Sequence, residues 1–298
     1  MILIDYSQCV ISSILGFKRE LKGTEAEVKN LIRHVIISTI KSHKKKYGKE
    51  YGEVVVACDG RNYWRKEIFA HYKASRKKSR EASELDWKMI HEIISEMRED
   101  LINHFPYKVI YTDRAEADDI IAILIQWAQE NQLTTTGLIE EPQKILILSS
   151  DKDFKQLQLY PNVKQWSPMQ KKFVTATKKE IVDYKIHHIV KGDTGDGVPN
   201  ILSDDDVFVD VDKRQKAMSA ARLEAFIANG RDECKTDFER RNWDRNEQLV
   251  SFSKIPNDIY IDIINRYTNF KIKGDKMSIM KYLIKHKCRL ILDDLELF

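Results

Sequence analysis

The sequence is poor in the features that mark secreted and membrane-embedded proteins. Its four cysteines are scattered at positions 9, 58, 234 and 288 without a CxxC pair, which is typical of small buried hydrophobic residues in a reducing compartment. No apolar run reaches the roughly 18 residues of a transmembrane helix, and no targeting segment or internal repeat is recognisable. We therefore expect a cytoplasmic protein from a reducing compartment.

Length and net charge leave the broad class open. The 298 residues are enough for one large domain or two modest ones. Fifty basic residues oppose 46 acidic ones, so the formal net charge is only +4. With so small a total, the distribution of charge along the chain is more informative than its sum.

The chain is organised around residues 144–154, which read KILILSSDKDF. The alternation of Ile and Leu predicts a short strand that is buried on both faces, as strands of parallel sheets are. The strand ends at Asp151 and Asp153, whose carboxylates repel each other unless a cation lies between them, which indicates a divalent metal. A helix N-cap formed by Ser150 or Asp151 explains the same residues equally well, so both interpretations stay open at this point.

Two earlier strands also end in aspartate. Met1–Ile4 is a short apolar strand followed by Asp5, and Glu53–Cys58 is a second one followed by Asp59. Apolar residues at helical spacing in Glu25–Lys46 predict a helix between them. Strand, helix and strand of this length form a parallel, right-handed unit.

Residues 61–80 carry eight basic side chains and one acidic one, with four aromatic rings between them. We expect a basic helix here that binds a polyanion, because Lys and Arg neutralise phosphates while aromatic rings offer stacking faces. The alternative is a solvated helix face with Trp64 and Phe69 in the core. The charge is too one-sided for surface ions that pair with one another, which favours the polyanion.

A third strand precedes another acidic group. Ser83–His104 has the apolar stripe of a long helix with its first residue as the N-cap, and Tyr107–Tyr111 follows as a strand. The next helix carries Glu116, Asp118 and Asp119 in its first turn. The helix dipole alone favours acidic residues at that position, so this group by itself also has a purely structural explanation.

The rest of the chain predicts a hairpin and then a helical region. Asp193 and Asp196 lie among three glycines in a loop after a helix over Lys178–Lys191. We expect a catalytic α/β core over residues 1–200, which includes the basic helix, and a helical subdomain over residues 201–298. The remaining predicted elements are a threonine-rich loop over 131–142, a hairpin over 163–174, helices over 213–228, 238–252 and 257–270, and a last short helix.

Taken together, the acidic groups indicate a metal centre. Ligands of open α/β sheets bind outside the carboxyl ends of the strands, and three predicted strands end there in aspartate. Mutual repulsion would disfavour so many carboxylates in one crevice without cations, and ligands that are all oxygen favour Mg²⁺ or Mn²⁺ over zinc. Carboxylates beside a basic segment suit two-metal hydrolysis of phosphodiesters. Up to nine residues would converge: Asp5, Asp59, Glu116, Asp118, Asp119, Asp151, Asp153, Asp193 and Asp196.

Several motifs together resemble the flap endonuclease, or structure-specific 5′-nuclease, family, and in particular its bacteriophage members. The motifs are LIDYSQ, VVVACDGRNYWRKEIFAHYK, EADD, ILSSDKDFKQL, PNVKQWSPMQKKFV and GDTGDGVP, and they cover roughly residues 1–200 in register. The resemblance implies a PIN-like α/β fold with a central, mostly parallel sheet flanked by helices. It also implies a Mg²⁺-dependent 5′-to-3′ exonuclease with RNase H and flap endonuclease activity, which removes RNA primers and adjacent DNA from lagging-strand fragments.

The resemblance further implies a role for each matching residue. Asp5, Asp59, Asp118 and Asp151 would hold the tighter of two Mg²⁺ sites with Glu116 assisting, while Asp153, Asp193 and Asp196 would serve the second; Mn²⁺ would substitute. Lys73 and Arg76 would stabilise the scissile phosphate, and Tyr72 would either stack on a base or merely pack. Lys77, Lys78 and Arg80 would steer the 5′ strand with little sequence preference. Asp119 would support the ligands from a second layer or cap its helix.

The partners implied by the resemblance are RNA–DNA hybrids, branched and flap DNA, a single-strand DNA-binding protein and a sliding clamp. The enzyme would act as a monomer, in the cytoplasm of an infected bacterium if a phage encodes it. Two departures bear on this. The segment GVPNILSDDDVF lacks the G-x-G signature of the hairpin that grips downstream duplex in cellular members of the family. We also expect no counterpart of the extension that precedes the first strand in phage members, because the first predicted strand starts at Met1. The tail LDDLELF could bind a clamp, although packing of a final helix is favoured.

Three other functions fit parts of the sequence. The main alternative is a non-catalytic, structure-specific DNA-binding protein of the same fold, in which the acidic set would only repel phosphate. A phosphatase of the haloacid-dehalogenase kind needs its nucleophile at the first strand and leaves the basic segment unexplained. A small PIN-type RNase needs far less chain.

Overall fold

The computed structural model describes residues 1–16, 24–81, 83, 85–136, 139–292 and 295–298, with the side chains of residues 77–79, 135, 136, 139, 289 and 290 left out. Its contacts define two compact units. The first, which we call the sheet unit, comprises Met1–Arg61, Lys88–Thr175 and Asp258–Phe298; the second, the helical unit, comprises Asn62–Trp87 and Ala176–Asn257. The units alternate along the chain, so they do not coincide with the predicted domains 1–200 and 201–298, whose boundary stays a prediction.

The sheet unit is built on a six-stranded sheet with the order β3-β2-β1-β6-β7-β8, in which only β8 runs antiparallel to its neighbour. Every residue of β1, β2 and β6 is buried, as the apolar runs predict. The mostly parallel α/β fold is therefore confirmed. The strands are β1 (Ile2–Asp5), β2 (Val54–Cys58), β3 (Lys108–Tyr111), β4 (Leu133–Thr136), β5 (Ile139–Pro142), β6 (Ile145–Leu148), β7 (Val163–Ser167) and β8 (Lys172–Val174), of which β4 and β5 form a separate pair.

The order of the strands places a switch point between β1 and β6. From β1 the chain builds outward through β2 and β3 on one side and later returns to build β6 and β7 on the other. Ile4 of β1 pairs with Leu148 of β6, so that the residues following these two strands emerge at one edge. In open α/β sheets the ligand binds at such a point.

The described part of the chain contains twelve α-helices, none with the length and apolar character needed to cross a bilayer. They are α1 (Tyr6–Gly16), α2 (Glu25–Tyr51), α3 (Arg65–Ile68), α4 (Ser75–Glu81), α5 (Trp87–His104), α6 (Ala117–Asn131), α7 (Lys178–Lys191), α8 (Ala220–Asn229), α9 (Asp237–Val250), α10 (Asn257–Thr268), α11 (Lys276–Lys285) and α12 (Arg289–Leu292). Short 3₁₀ helices cover Asp153–Leu159, Gly230–Glu233, Phe252–Lys254 and Leu295–Leu297.

Three predicted elements differ from the structure. The helix predicted from Ser83 begins at Trp87, because the Ser83 hydroxyl instead accepts the amide of Leu85 at 3.3 Å and closes a local turn. The threonine-rich loop forms the antiparallel pair β4–β5 around residues 137–138, which lie outside the described residues. The helix predicted from residue 213 begins at Ala220, where the hydroxyl of Ser219 caps it by accepting the amide of Arg222 at 3.2 Å.

The basic segment forms two short helices in the helical unit, so the prediction of one helix over residues 61–80 is wrong. The two helices are α3 and α4, and a turn separates them in which Lys73 has φ 58°. Phe69 and Tyr72 precede that residue and are buried against Val198 and Leu249. The single helix predicted for this segment is therefore interrupted at the turn, where the two rings are buried and the backbone of Lys73 is left-handed.

The C-terminal tail packs on the sheet unit. The ring of Phe298 lies 5.7 Å from that of Phe105, centroid to centroid. Residues 293–294 lie outside the described part. The favoured interpretation of this tail, packing rather than a free clamp-binding peptide, agrees with this contact.

Candidate metal centre and basic turn

Asp5 lies at the switch point of the sheet, where β1 ends. Its side chain is only 4% exposed; Oδ2 accepts the hydroxyl of Ser149 at 2.8 Å, and Oδ1 accepts the amide of Gln8 at 3.1 Å. Burial, followed by the charges of Asp59 and then Asp151, raises the pKa of Asp5 to about 7. A carboxylate that is this difficult to ionise beside two others gains from a cation, so the site fits a divalent ion.

Asp59 connects β2 to the start of α6. Its Oδ1 accepts the amide of Ala117, the first residue of that helix, at 2.9 Å. The adjacent Gly60 makes this approach possible, since a Cβ there would lie 2.3 Å from the carbonyl oxygen of Asp113 and 2.4 Å from that of Thr112. The glycine after Asp59 therefore has a steric reason to be there.

The acidic group at the start of α6 divides into a capping pair and one further carboxylate. Glu116 is the N-cap residue and Asp119 the third helical residue, and each side chain accepts the backbone N–H of the other in a capping box. Both are buried, at 2% and 0% exposure. The capping role predicted for Asp119 is confirmed, and the structural explanation holds for this pair. Asp118 is half-buried and takes no part in the box.

Asp151 precedes the 3₁₀ helix Asp153–Leu159 that follows β6, and Lys152 is the N-cap residue of that helix. Oδ1 of Asp151 accepts the amide of Asp153 at 2.8 Å, and the amide of Asp151 donates to the hydroxyl of Ser149 at 3.1 Å. The helix predicted to begin near Asp153 is present as a 3₁₀ helix, but neither Ser150 nor Asp151 is its N-cap residue, so the N-cap interpretation is wrong. The Asp151 carboxylate instead closes a local turn onto the first helical amide. The charge of Asp151 also reaches Asp5, so this turn does not remove Asp151 from the group of carboxylates at the switch point.

Gln165 is a site residue that the sequence did not reveal. It is 1% exposed on β7, and its side-chain amide donates to the carbonyls of Ser149 at 3.0 Å and Asp151 at 2.6 Å, while its oxygen accepts Gln158 at 3.0 Å. Gln165 therefore fixes the backbone that carries Asp151. The only signal in the sequence is a polar residue at an inward position of an alternating strand.

Seven of the nine predicted carboxylates belong to the sheet unit, and Asp193 and Asp196 belong to the helical unit. Within the described residues of the sheet unit, no three carboxylates offer oxygens that all lie within 4.8 Å of one another. Convergence of all nine stays a prediction.

Asp193 shapes the glycine-rich loop of the helical unit. Its Oδ1 accepts the amides of Gly195 at 2.7 Å and Asp196 at 3.3 Å, and its Oδ2 lies 3.4 Å from Nε2 of His188. Although burial opposes it, the contact with His188 and the loop amides lower the pKa of Asp193. The carboxylate is thus ionised and held in a fixed orientation.

Asp196 binds the basic turn between α3 and α4. Its carboxylate accepts the hydroxyl of Tyr72 at 2.9 Å and Nη2 of Arg76 at 2.5 Å, and it lies 3.6 Å from Nζ of Lys73. Its carbonyl accepts the amide of Lys73 at 2.7 Å, where the backbone is left-handed. A predicted metal ligand therefore neutralises the cations predicted to hold the phosphate.

The other predicted nucleic-acid residues have different environments. Tyr72 is 4% exposed in the core of the helical unit, which agrees with the packing alternative. Its role in binding nucleic acid stays a prediction. Arg80 is exposed, and its guanidinium lies 6.0 Å from the ring centroid of Trp87. The side chains of Lys77 and Lys78 lie outside the described part.

Two family models match the chain. Residues 1–186 match the N-terminal resolvase-like domain of 5′-3′ exonucleases, and residues 179–298 match the C-terminal part of T4 RNase H. The Ribonuclease H of Enterobacteria phage T4 is 35% identical to this chain over 291 residues, which cover 95% of this chain and 90% of that protein.

Solved structures resemble the fold over nearly the whole chain. The T5 5′-exonuclease with bound zinc gives a TM-score of 0.59 at 16% identity, covering 96% of this chain and 98% of the other. A complex of the bacteriophage T5 flap endonuclease with DNA and metal ions gives 0.56 at 16% identity, with the same coverage. At such low identity the likeness concerns the fold alone.

Proposed function

The chain belongs to the family of 5′-3′ exonucleases with an N-terminal resolvase-like domain and is thus a 5′-nuclease, and we propose that it uses Mg²⁺ to hydrolyse RNA–DNA hybrids and 5′ flaps. The observation that carries the proposal is the group of Asp5, Asp59 and Asp151 at the switch point, where the charges of Asp59 and Asp151 both act on the buried Asp5. The names of the T4 and T5 relatives, a ribonuclease H and a flap endonuclease, support this choice of substrates.

The proposed ligands of the tighter ion are Asp5, Asp59, Asp118 and Asp151, with Glu116 as a supporting residue that also caps α6. Asp153 is the proposed ligand of a second ion, as are Asp193 and Asp196, for which the family resemblance is the support. When bound, divalent ions supply the acidity that makes water nucleophilic near neutral pH and the charge that stabilises the leaving oxygen.

The protein's own residues would orient both the carboxylates and the substrate. Gln165 and Ser149 hold the backbone and side chains of Asp151 and Asp5 before substrate arrives. Lys73 and Arg76 would contact the scissile phosphate, and Arg80, Lys77 and Lys78 the 5′ strand beyond it. Because these contacts go to phosphates, they would position the strand without reading its sequence.

In the cell, this activity would remove RNA primers and adjacent DNA from lagging-strand fragments, in the cytoplasm of a host bacterium. A single-strand DNA-binding protein and a sliding clamp are the protein partners that the family resemblance implies. For the clamp, the packing of Phe298 on Phe105 means that the tail would have to detach before it could bind as a peptide.

The proposal is tested by cleavage of a 5′-labelled RNA–DNA hybrid and of a 5′-flap DNA, each with Mg²⁺ and with EDTA. We expect short products from the 5′ end with Mg²⁺ only, and the ratio of the two rates gives the preferred substrate. Intact binding without cleavage under any divalent ion would instead favour the alternative, a non-catalytic DNA-binding protein of the same fold.

A further inference from the structure

Lysines without an acidic partner gather on one surface of the sheet unit. Lys45, Lys46 and Lys49 are exposed on the C-terminal half of α2, and Lys171 is exposed in the turn between β7 and β8. No described residue forms an ion pair with any of these four, whereas Lys29 near the start of α2 pairs with Glu25 at 2.8 Å. The positive charge of this surface is therefore uncompensated in a protein whose net charge is small.

Aromatic rings join the helix and the hairpin into one continuous surface. Nζ of Lys46 lies 4.2 Å from the ring centroid of Trp166, which in turn lies 5.0 Å from the ring of Phe173. Trp166 is half-buried, and Phe173 is 41% exposed on the edge strand β8. Exposed lysines beside an exposed ring combine charge neutralisation with a stacking platform.

The hairpin turn forms hydrogen bonds with the loop that carries Asp151. The amide of Met169 donates to the hydroxyl of Ser150 at 3.1 Å, and that hydroxyl lies 2.8 Å from the hydroxyl of Ser167. The surface therefore begins at the edge of the sheet that carries the acidic group. Lys171 lies in this same turn, two residues after Met169.

We propose that this surface, which we call the lysine face and define by Lys45, Lys46, Lys49, Lys171, Trp166 and Phe173, binds a single-stranded arm of the nucleic-acid substrate. The inference rests on the proposed function and adds a binding site for the part of the substrate that is not cut. A single strand fits because its unpaired bases can stack on Phe173. Lysines act as point charges without the guanidinium fork, so the contact would have no sequence preference.

The test uses the full chain with Lys45→Gln, Lys49→Gln and Lys171→Gln combined, a change confined to exposed side chains. The matched control combines Lys271→Gln, Lys281→Gln and Lys285→Gln, which removes the same charge from exposed positions elsewhere. Affinity is measured by fluorescence anisotropy in EDTA for a duplex with a long single-stranded arm and for the same duplex with blunt ends.

We expect the triple variant of the lysine face to bind the armed duplex about tenfold more weakly, with the slope of log affinity against log salt reduced by about 2. The blunt duplex and the control variant should change less than about twofold by the same electrostatic reasoning. Phe173→Ala should weaken binding of the armed duplex by about tenfold as well, with little change in the salt slope.

Equal losses for the face and control variants, or equal losses on both substrates, would overturn the lysine face. The result is separable from the proposed function. A wild-type protein that cuts flaps while the face variant binds normally refutes only this inference. If the wild-type protein never cuts, but the face variant binds the armed duplex more weakly than the wild type, the proposed nuclease activity is refuted and the lysine face is supported.

Discussion

The hydroxyl of Tyr72 donates a hydrogen bond to the carboxylate of Asp196 at 2.9 Å, and the same carboxylate lies within 2.5 Å of Arg76 and 3.6 Å of Lys73. One acidic residue thus fixes the turn that presents the predicted phosphate-binding cations. If Lys73 and Arg76 bind the scissile phosphate as proposed, that phosphate would have to compete with Asp196 for both cations, and the competition would weaken the contact.

Tyr72→Phe should remove the bond to Asp196 while keeping the ring in its core position. Hydrogen bonds to charged acceptors contribute about 1.5–3 kcal/mol, so we expect the free energy of unfolding to fall by about that amount and cleavage to slow because the turn loosens. Urea denaturation and initial cleavage rates measure both effects. Tyr260→Phe, in α10, is the control and should change neither quantity; an unchanged unfolding midpoint for Tyr72→Phe would contradict the role of the bond.

Lys73→Ala should slow cleavage by about 100-fold, as the loss of one charge-stabilising donor typically does, with a modest loss of binding. Lys73→Gly is the matched control, since glycine also lacks the amine but accepts φ 58° without strain. Both variants should be equally slow in single-turnover assays. Recovery of the rate in Lys73→Gly would mean that backbone strain, and not the amine, limits the reaction.

Asp118→Asn should abolish cleavage and leave DNA binding intact or stronger, because a proposed ligand is lost together with one negative charge. Asp119→Ala should behave in the opposite way. It removes half of the capping box, which costs about 0.5–2 kcal/mol of stability, and should retain cleavage. Thermal melts and single-turnover cleavage of the two variants separate metal binding by Asp118 from helix capping by Asp119. A fully active Asp118→Asn enzyme would disprove the metal assignment.

Gln165→Leu should raise the Mg²⁺ concentration needed for half-maximal cleavage, because the carbonyls of Ser149 and Asp151 lose a buried donor. Each unsatisfied carbonyl costs about 1–3 kcal/mol, so stability should fall too. Gln158→Ala is the control: it removes the partner of the Gln165 oxygen but keeps both carbonyl contacts. If both variants have the same Mg²⁺ dependence as the wild type, Gln165 does not position the ligand loop.

Mg²⁺ or Mn²⁺ should raise the melting temperature of the protein relative to EDTA, since ions relieve the repulsion among Asp5, Asp59 and Asp151. Asp5→Asn should melt higher than wild type in EDTA, because a buried charge disappears while the amide oxygen can still accept Ser149. The same variant should gain less from added metal. Differential scanning fluorimetry with and without metal tests this, and an identical metal response in both proteins would be the contrary result.

Sequence reasoning predicted the strands and the aspartates that follow them because buried parallel strands have a strong apolar signature. It failed at the basic segment, because the turn there depends on a hydrogen bond from the amide of Lys73 to the carbonyl of Asp196, more than 100 residues away along the chain. It also missed Gln165, since a lone glutamine in a strand has no pattern. Local periodicity predicts elements, whereas such long-range contacts become visible only in the folded chain.

The alternation of the two units along the chain sets an order of events during translation. Residues 258–298 belong to the sheet unit, and Tyr267 in α10 contacts Gln132 at 2.7 Å. A nascent chain that has emerged only to residue 200 therefore has the strands and the acidic edge but not the segment that completes this unit. Synthesis from the N-terminus would therefore delay a finished sheet unit until residues 258–298 have left the ribosome. We expect shorter nascent chains not to cut nucleic acid near their own site of synthesis.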